Sequence, residues 1–432
     1  MPMVARLLPA IVALIAAFNW VPASAATQHQ RVLFNFVPPG GGTDDTKGYY
    51  PPLGVLVDTD DSVYGSTYYG GKNGGGTIYH AVGKTVTVLY SFTDQDTAGC
   101  GYNPSAVLIM KGKLLYGTTF AGGTGGGGVV YSLKEKSDST KEWKCTPLFS
   151  FSNSGPGLAK GYGSFGGLAL FDGDLYGTTQ LGGKGDGGVL FKLTKAGSSW
   201  TYRVVQNFWT TGPNGSDGFT PAGRVISDGG TALYGMTFFG GIRSQGRNGG
   251  VIYKFTPSGG SGTYEVLFKF PGASSDGTAS TAQGYQPTIN GLKMSGGLLY
   301  GETTLGGDPN NAAVPAGVVF KFDPVSKTYS VLHTFDSSTD VANGYSPFGG
   351  LSFTATGALI GTAQFGGVQG GGVAFTVSKA GKFHKIFDFL TDTTTGYKPG
   401  GPLVMNSVGK FIGTTYYGGT ANGGVLYSLT PP

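Results

Sequence analysis

The strongest constraint on this chain is a five-residue phrase, Leu-Tyr-Gly-Thr-Thr, which it repeats with small variations seven times. In the clearest copy, Leu175-Tyr176-Gly177-Thr178-Thr179 is followed by Gly182-Gly183, a short spacer and Gly187-Gly188-Val189-Leu190-Phe191-Lys192-Leu193. This reads as a short strand, a glycine-rich turn and a second strand. The glycine of the first strand recurs at Gly65, Gly117, Gly177, Gly235, Gly301, Gly361 and Gly413, and a Gly-Gly pair begins five residues after each. A period of roughly 50–65 residues in an all-strand chain points to a propeller or a row of similar units.

Two further strand-like segments complete each unit. One is an alternating stretch at residues 31–36, 88–92, 147–151, 204–208, 266–270, 331–335 and 385–389. The other follows a Gly-aromatic pair whose rings are Tyr49, Tyr102, Tyr162, Phe219, Tyr285, Tyr345 and Tyr397. Each unit thus has four strands in chain order: A after the Gly-aromatic pair, B with Leu-Tyr-Gly, C with Gly-Gly-Val, and D the alternating segment. Seven four-stranded antiparallel units predict an all-β, seven-bladed β-propeller. The last unit stops after strand C, while residues 31–36 have no unit of their own. The N-terminal strand is therefore expected to complete the last blade and close the ring.

Of 432 residues, 81 are Gly, well above the usual share of about 7%. Without a three-residue period they do not make collagen, and the regularly placed Phe and Tyr argue against disorder. Residues 1–25, with Arg6 before an apolar run and Ala23-Ser24-Ala25 at its end, read as a secretory signal cleaved after Ala25. That leaves 26–432 as one propeller domain, exported to the periplasm or medium. Only 12% of residues are charged and the formal charge is +5. No Lys/Arg block suggests nucleic acid, and no later segment is apolar enough to span a membrane. A monomer without a cofactor is expected.

The repeated Leu-Tyr-Gly-Thr-Thr-x-x-Gly-Gly and Gly-Gly-Val-[hydrophobic]-[Phe/Tyr]-x-Leu pattern, from about residue 31 to 430, resembles the GloVer-type tandem repeat of exported bacterial "choice-of-anchor" proteins. The resemblance implies an exported repeat protein, often held at the cell surface by a C-terminal sorting segment. It brings no settled activity and no catalytic residue. The Thr430-Pro431-Pro432 end departs from the anchored pattern, so release is expected rather than attachment.

Chemistry is sparse. The four histidines, His29, His80, His333 and His384, fall outside the region near the axis, so no metal centre is expected there. Asp58-Thr59-Asp60-Asp61 and Asp94-Gln95-Asp96 only superficially resemble calcium loops, lacking the Gly and distal Glu of an EF-hand. The first reads as an A–B turn. Along the axis-lining A strands the polar exceptions are Arg224 and Asn290. Glu302 replaces the small or apolar residue that follows the B-strand glycine in other units. If the protein is an enzyme, a glycan-acting lyase or hydrolase, Glu302 and Arg224 are its catalytic candidates.

Binding is the leading expectation, on the face carrying the D–A and B–C loops. The B–C turns of blades 4 and 5 are longer than the rest, and so is the D–A loop between those blades. Together they form a lip offering Arg243, Gln245, Arg247 and Asn248 opposite Asp308, Asn310 and Asn311, with Tyr285 of the Gly-aromatic set beside them. Loops on a rigid scaffold are where recognition concentrates. A polysaccharide, a cell-envelope component or a protein is the expected ligand. The Gly-aromatic rings themselves are read as packing between blades rather than as a ring of ligand platforms. Cys100 in a D–A loop and Cys145 at the start of a D strand are expected on opposite faces, too far apart to pair.

Overall fold

The computed structural model describes residues 30–39, 45–51, 53–211, 215–241, 243–244, 247–272, 282–307, 316–392 and 394–430. Seven antiparallel four-stranded sheets are arranged in a ring as a β-propeller, and several A strands are broken into two short pieces. Blade 3 shows the plan: Ala169–Phe171, Asp174–Thr179, Val189–Ala196 and Ser199–Asn207, paired in that order. The ring closes as the unit count predicts. Strand Gln30–Asn35 pairs antiparallel with Val425–Leu429 of the last blade, setting Phe34 opposite Leu426 and Val32 opposite Tyr427.

The repeated glycine has a specific partner. In every blade it lies directly across from the aromatic of strand C, as in Gly65 opposite Tyr79, Gly177 opposite Phe191 and Gly413 opposite Tyr427. A Cβ at any of the seven positions would come within 3.0 Å of that ring. The ring therefore lies flat over the glycine, which is why the two motifs always travel together.

On its other side each of these rings meets a phenylalanine from strand D of the preceding blade. The seven pairs are Phe36–Tyr79, Phe92–Tyr131, Phe151–Phe191, Phe208–Tyr253, Phe270–Phe320, Phe335–Phe375 and Phe389–Tyr427. Their centroids lie 5.1–5.5 Å apart. Such pairs add about 0.5–1.5 kcal/mol to the area they bury. The apolar core is thus divided into seven clusters, each shared by two neighbouring blades.

The cysteines correct the sequence reading: Cys100 and Cys145 form a disulfide, with Cα atoms 6.5 Å apart. The D–A loop does not stay on the face. It sinks between blades 1 and 2, where Cys100 is buried against Ile78, Phe92, Leu115 and Leu133. Cys145, opposite Leu133 on strand D, borders the same cluster.

The bond is one version of a recurring clamp. The hydroxyls of Tyr202, Tyr264 and Tyr329, at the equivalent D-strand position, donate to the carbonyls of Lys160, Asp217 and Gln283. In the last blade the Gln30 amide donates to the Thr395 carbonyl at 2.8 Å. Each acceptor is the residue just before a Gly-aromatic pair, and Cys100 is that residue in blade 2.

Asp58-Thr59-Asp60-Asp61 is the expected A–B turn, closed by its own bonds: Thr59 N–H to the Asp58 carboxylate and Ser62 N–H to that of Asp60. Asp61 also accepts from the Ser407 amide and hydroxyl, tying blade 1 to blade 7. His80 lies in strand C of blade 1, and His333 and His384 lie in D strands. The predicted signal segment and His29 lie outside the described residues.

Two stability measurements check this picture. Phe36→Ala, which empties the seam that closes the ring, should cost about 3–5 kcal/mol in chemical denaturation. Reducing the single disulfide should lower stability by about 2–4 kcal/mol, and Cys145→Ser should match the reduced protein.

Candidate binding face

The D–A/B–C face is built on a backbone feature present in all seven blades. The residue after each Gly-aromatic pair is left-handed: Tyr50, Asn103, Gly163, Thr220, Gln286, Ser346 and Lys398 have φ between 53° and 67°. Six of these are not glycine, and each such residue carries a strain of roughly 1–2 kcal/mol. The conformation turns the amide toward the preceding blade. Tyr50 N–H donates to the Gly423 carbonyl at 2.8 Å, Thr220 to Gly187 at 2.8 Å, Ser346 to Ala316 at 2.7 Å and Lys398 to Gly371 at 2.9 Å. In six blades a proline follows, from Pro51 to Pro399. A Cβ on Gly424 would lie 2.9 Å from Cδ of Pro51, so the two blades meet there at backbone distance.

One locked backbone position therefore holds a different residue in every blade. The recurring Gly-aromatic-x-Pro string was the available signal, since three of its four places are nearly constant and the third varies freely. Asn103 donates to the Tyr68 carbonyl at 2.8 Å, and the Ser346 hydroxyl to that of Thr304 at 3.3 Å. The Lys398 ammonium lies 5.2 Å from the Phe365 ring centre and 5.6 Å from that of Tyr417, and burial lowers its pKa.

Aromatic rings cover the same face unevenly. In blades 1, 6 and 7 the Gly-aromatic ring stacks on a residue at or just past the end of strand B: Tyr49 on Tyr69, Tyr345 on Phe365 and Tyr397 on Tyr417. Tyr50 bridges blades 7 and 1, 5.2 Å from Tyr417 and 6.2 Å from Tyr69. Tyr69 is 43% exposed. Blade 4 holds a second stack, Trp209 on Phe219 on Phe239, at 4.8 and 5.3 Å. These Gly-aromatic rings thus stack within their own blade rather than between blades, and several keep part of their area in solvent.

The lip is described only in part. Arg243–Ser244 and Arg247–Asn248 pair as a small hairpin on the B–C turn of blade 4, Arg243 opposite Asn248. Gln245, Asp308, Asn310 and Asn311 lie outside the described residues. Tyr285 is 3% exposed, in register with Leu305.

Glu302 is fully buried and points into the seam toward blade 6. One carboxylate oxygen accepts from the Gly350 amide at 3.0 Å, and the other has no hydrogen-bond partner. Burial raises its pKa to about 8, a shift opposed by the Gly350 bond. Among the described residues no ion pair joins it to Arg224, so the structure does not bring these two together. Asn290 donates to the carbonyls of Phe348 and Gly400 at 2.5 and 3.3 Å, linking blade 5 to blades 6 and 7. Arg224 occupies the innermost strand of blade 4.

The chain belongs to the Gloeobacter/Verrucomicrobia repeat family, which matches residues 20–248 and 244–432. No curated protein matches it. Among solved structures it is similar to an ancestral GH74 enzyme, with TM-score 0.56 and 12% identity over 89% of this chain and 48% of that one. It is also similar to an oligogalacturonate lyase in complex with manganese, with TM-score 0.50 and 11% identity over 90% of each chain. At these identities the likeness is one of fold. No helix among the described residues is long and apolar enough to cross a membrane.

The buried carboxyl gives a pH prediction. Unfolded, Glu302 titrates near 4.5; folded, near 8. The native state therefore holds the extra proton between these values, and stability falls as pH rises through that window, by at most about 1.4 kcal/mol per unit. Glu302→Thr, the residue at this position in blades 2, 3, 6 and 7, should remove that component. Urea titrations of both proteins between pH 5 and 8 would measure it.

Proposed function

We propose that this protein is an exported, non-catalytic propeller that binds a glycan on its D–A/B–C face. The observation that carries the reading is the run of partly exposed tyrosines across blades 7 and 1: Tyr397, Tyr417, Tyr50, Tyr49 and Tyr69. Flat apolar rings with a polar edge suit the alternating CH and OH surfaces of sugars, because they offer contact area and hydrogen bonding together. Lys398 and the Asn422 side chain, which accepts from the Tyr397 hydroxyl at 3.2 Å, supply polar groups at the edge of this strip. The lip of blades 4 and 5, with Arg243, Gln245, Arg247, Asn248, Asp308, Asn310 and Asn311, is proposed as a second contact for the same extended ligand.

The fold supports the reading in another way. The left-handed position fixes the backbone of the face and leaves its side chains free to differ, as a recognition surface requires.

The test is retention of the purified protein on a panel of immobilised polysaccharides, with turnover followed in the same samples. A ligand should be retained, and Tyr69→Ala with Tyr417→Ala should weaken binding at least about tenfold, or 1.4 kcal/mol, while the variant, with its ring stacks shortened, still unfolds in one cooperative transition. Arg243→Ala with Arg247→Ala should weaken it independently. Equal retention by all variants would overturn the site, and cleavage of the retained glycan would overturn the non-catalytic role.

A further inference from the structure

Two cations stand at the hub of the ring, and among the described residues no acid pairs with either. On the innermost strand of blade 4, Arg224 lies two residues before Ile226, which pairs with Tyr234. The corresponding places in the other blades, counted from the same pairing, hold Gly54, Val107, Gly167, Gly291, Gly350 and Pro402. Lys293 itself takes the pairing position in blade 5, opposite Tyr300, where other blades carry Leu56, Ile109, Ala169, Ile226, Ser352 and Val404. A long cation therefore replaces a small or apolar residue twice, in adjacent blades, one two-residue step apart along the same side of the inner strand.

Arg224 packs against the inner strand of the neighbouring blade at Gly167. A Cβ on Gly167 of blade 3 would lie 3.6 Å from both Cβ and Cδ of Arg224 and 3.3 Å from the Val107 carbonyl oxygen of blade 2. Arg224 thus lies where the inner strands of blades 2, 3 and 4 converge. Among the described residues neither cation has an ion-pair or hydrogen-bond partner. Both are partly buried.

A buried cation without a counter-charge costs far more than a surface one. The two repel each other as well, and the packing does not require them, since five of the seven blades carry neither.

We propose that Arg224 and Lys293 form a site for a single oxyanion at the hub, taking a carboxylate, phosphate or sulfate group. A guanidinium presents a planar fork of donors that matches two oxygens of such a group, and the ammonium adds a point charge beside it. The electrostatics agree: burial lowers the pKa of Arg224, and burial together with the neighbouring Arg224 charge brings Lys293 down to about 8. An anion between them would reverse both effects. The site is separate from the aromatic strip, so its presence or absence leaves the glycan reading to stand on its own test.

The experiment follows melting temperature of the full chain at pH 7 in sodium phosphate, sulfate and galacturonate, each against sodium chloride of matched ionic strength. A ligand that binds only the folded state raises the melting temperature with the logarithm of its concentration. The natural protein should show this rise for at least one of the three anions. The comparison among them separates a free inorganic ion from a sugar acid as the source of the group. Arg224→Val, which installs the residue found at Val107, should abolish the rise while leaving the melting temperature in chloride unchanged or higher. Lys293→Met provides a second reading should the first variant fold poorly, and it should weaken the rise. An equal response in the natural protein and the variants, or none of the anions acting on the natural protein, would overturn the site.

Discussion

A ring clasped between a glycine and a phenylalanine is the contact on which this fold depends. Strand C of each blade supplies the ring, strand B of the same blade the glycine beneath it, and strand D of the blade before it the phenylalanine against its edge. One contact therefore both flattens a sheet locally and joins it to the next. Sheets that pack face to face need small residues where they approach and large ones where they part, and this triplet provides both at a fixed offset. Because it is repeated identically around the ring, no single blade holds the core. Stability resides in seven interfaces of similar composition.

Such an arrangement frees the face above it. The strained left-handed residues persist because the seam contacts, the inter-blade amide bonds and the following prolines over-determine the backbone there. With conformation settled by neighbours, the side chains at these positions are free to differ from blade to blade. Tyr50, Asn103, Thr220, Gln286, Ser346 and Lys398 differ in size, charge and polarity on one backbone geometry. The clamps at the blade edge show the same tolerance, since a tyrosine hydroxyl, a glutamine amide and a disulfide all fasten the same loop position.

How much of this was legible in the residues follows from what repeats. Blade number, strand order and closure by residues 31–36 could be read because each rests on motifs that recur in every unit, Gly177 with Phe191 among them. The role of that glycine could not, because only register shows which ring lies over it. The pairing of Cys100 with Cys145 is not legible in the spacing, because a loop between strands belongs nominally to a face, whereas the last residue of this one is drawn into the seam by apolar neighbours. Of the candidate site residues, Arg224 and Glu302 stood out as departures from the repeat. Their separation, one at the hub and one inside a seam, is a matter of blade geometry that spacing along the chain does not carry.

The pairing of Gln30–Asn35 with Val425–Leu429 also sets an order of events on the ribosome. At synthesis rates of about 5–20 residues per second, the first strand made has no partner for on the order of 20–80 s. Throughout that interval an apolar strand with two unpaired edges accompanies a growing stack of blades. Such an edge can recruit the wrong chain. The edges of that segment are therefore covered only once the final blade has been translated.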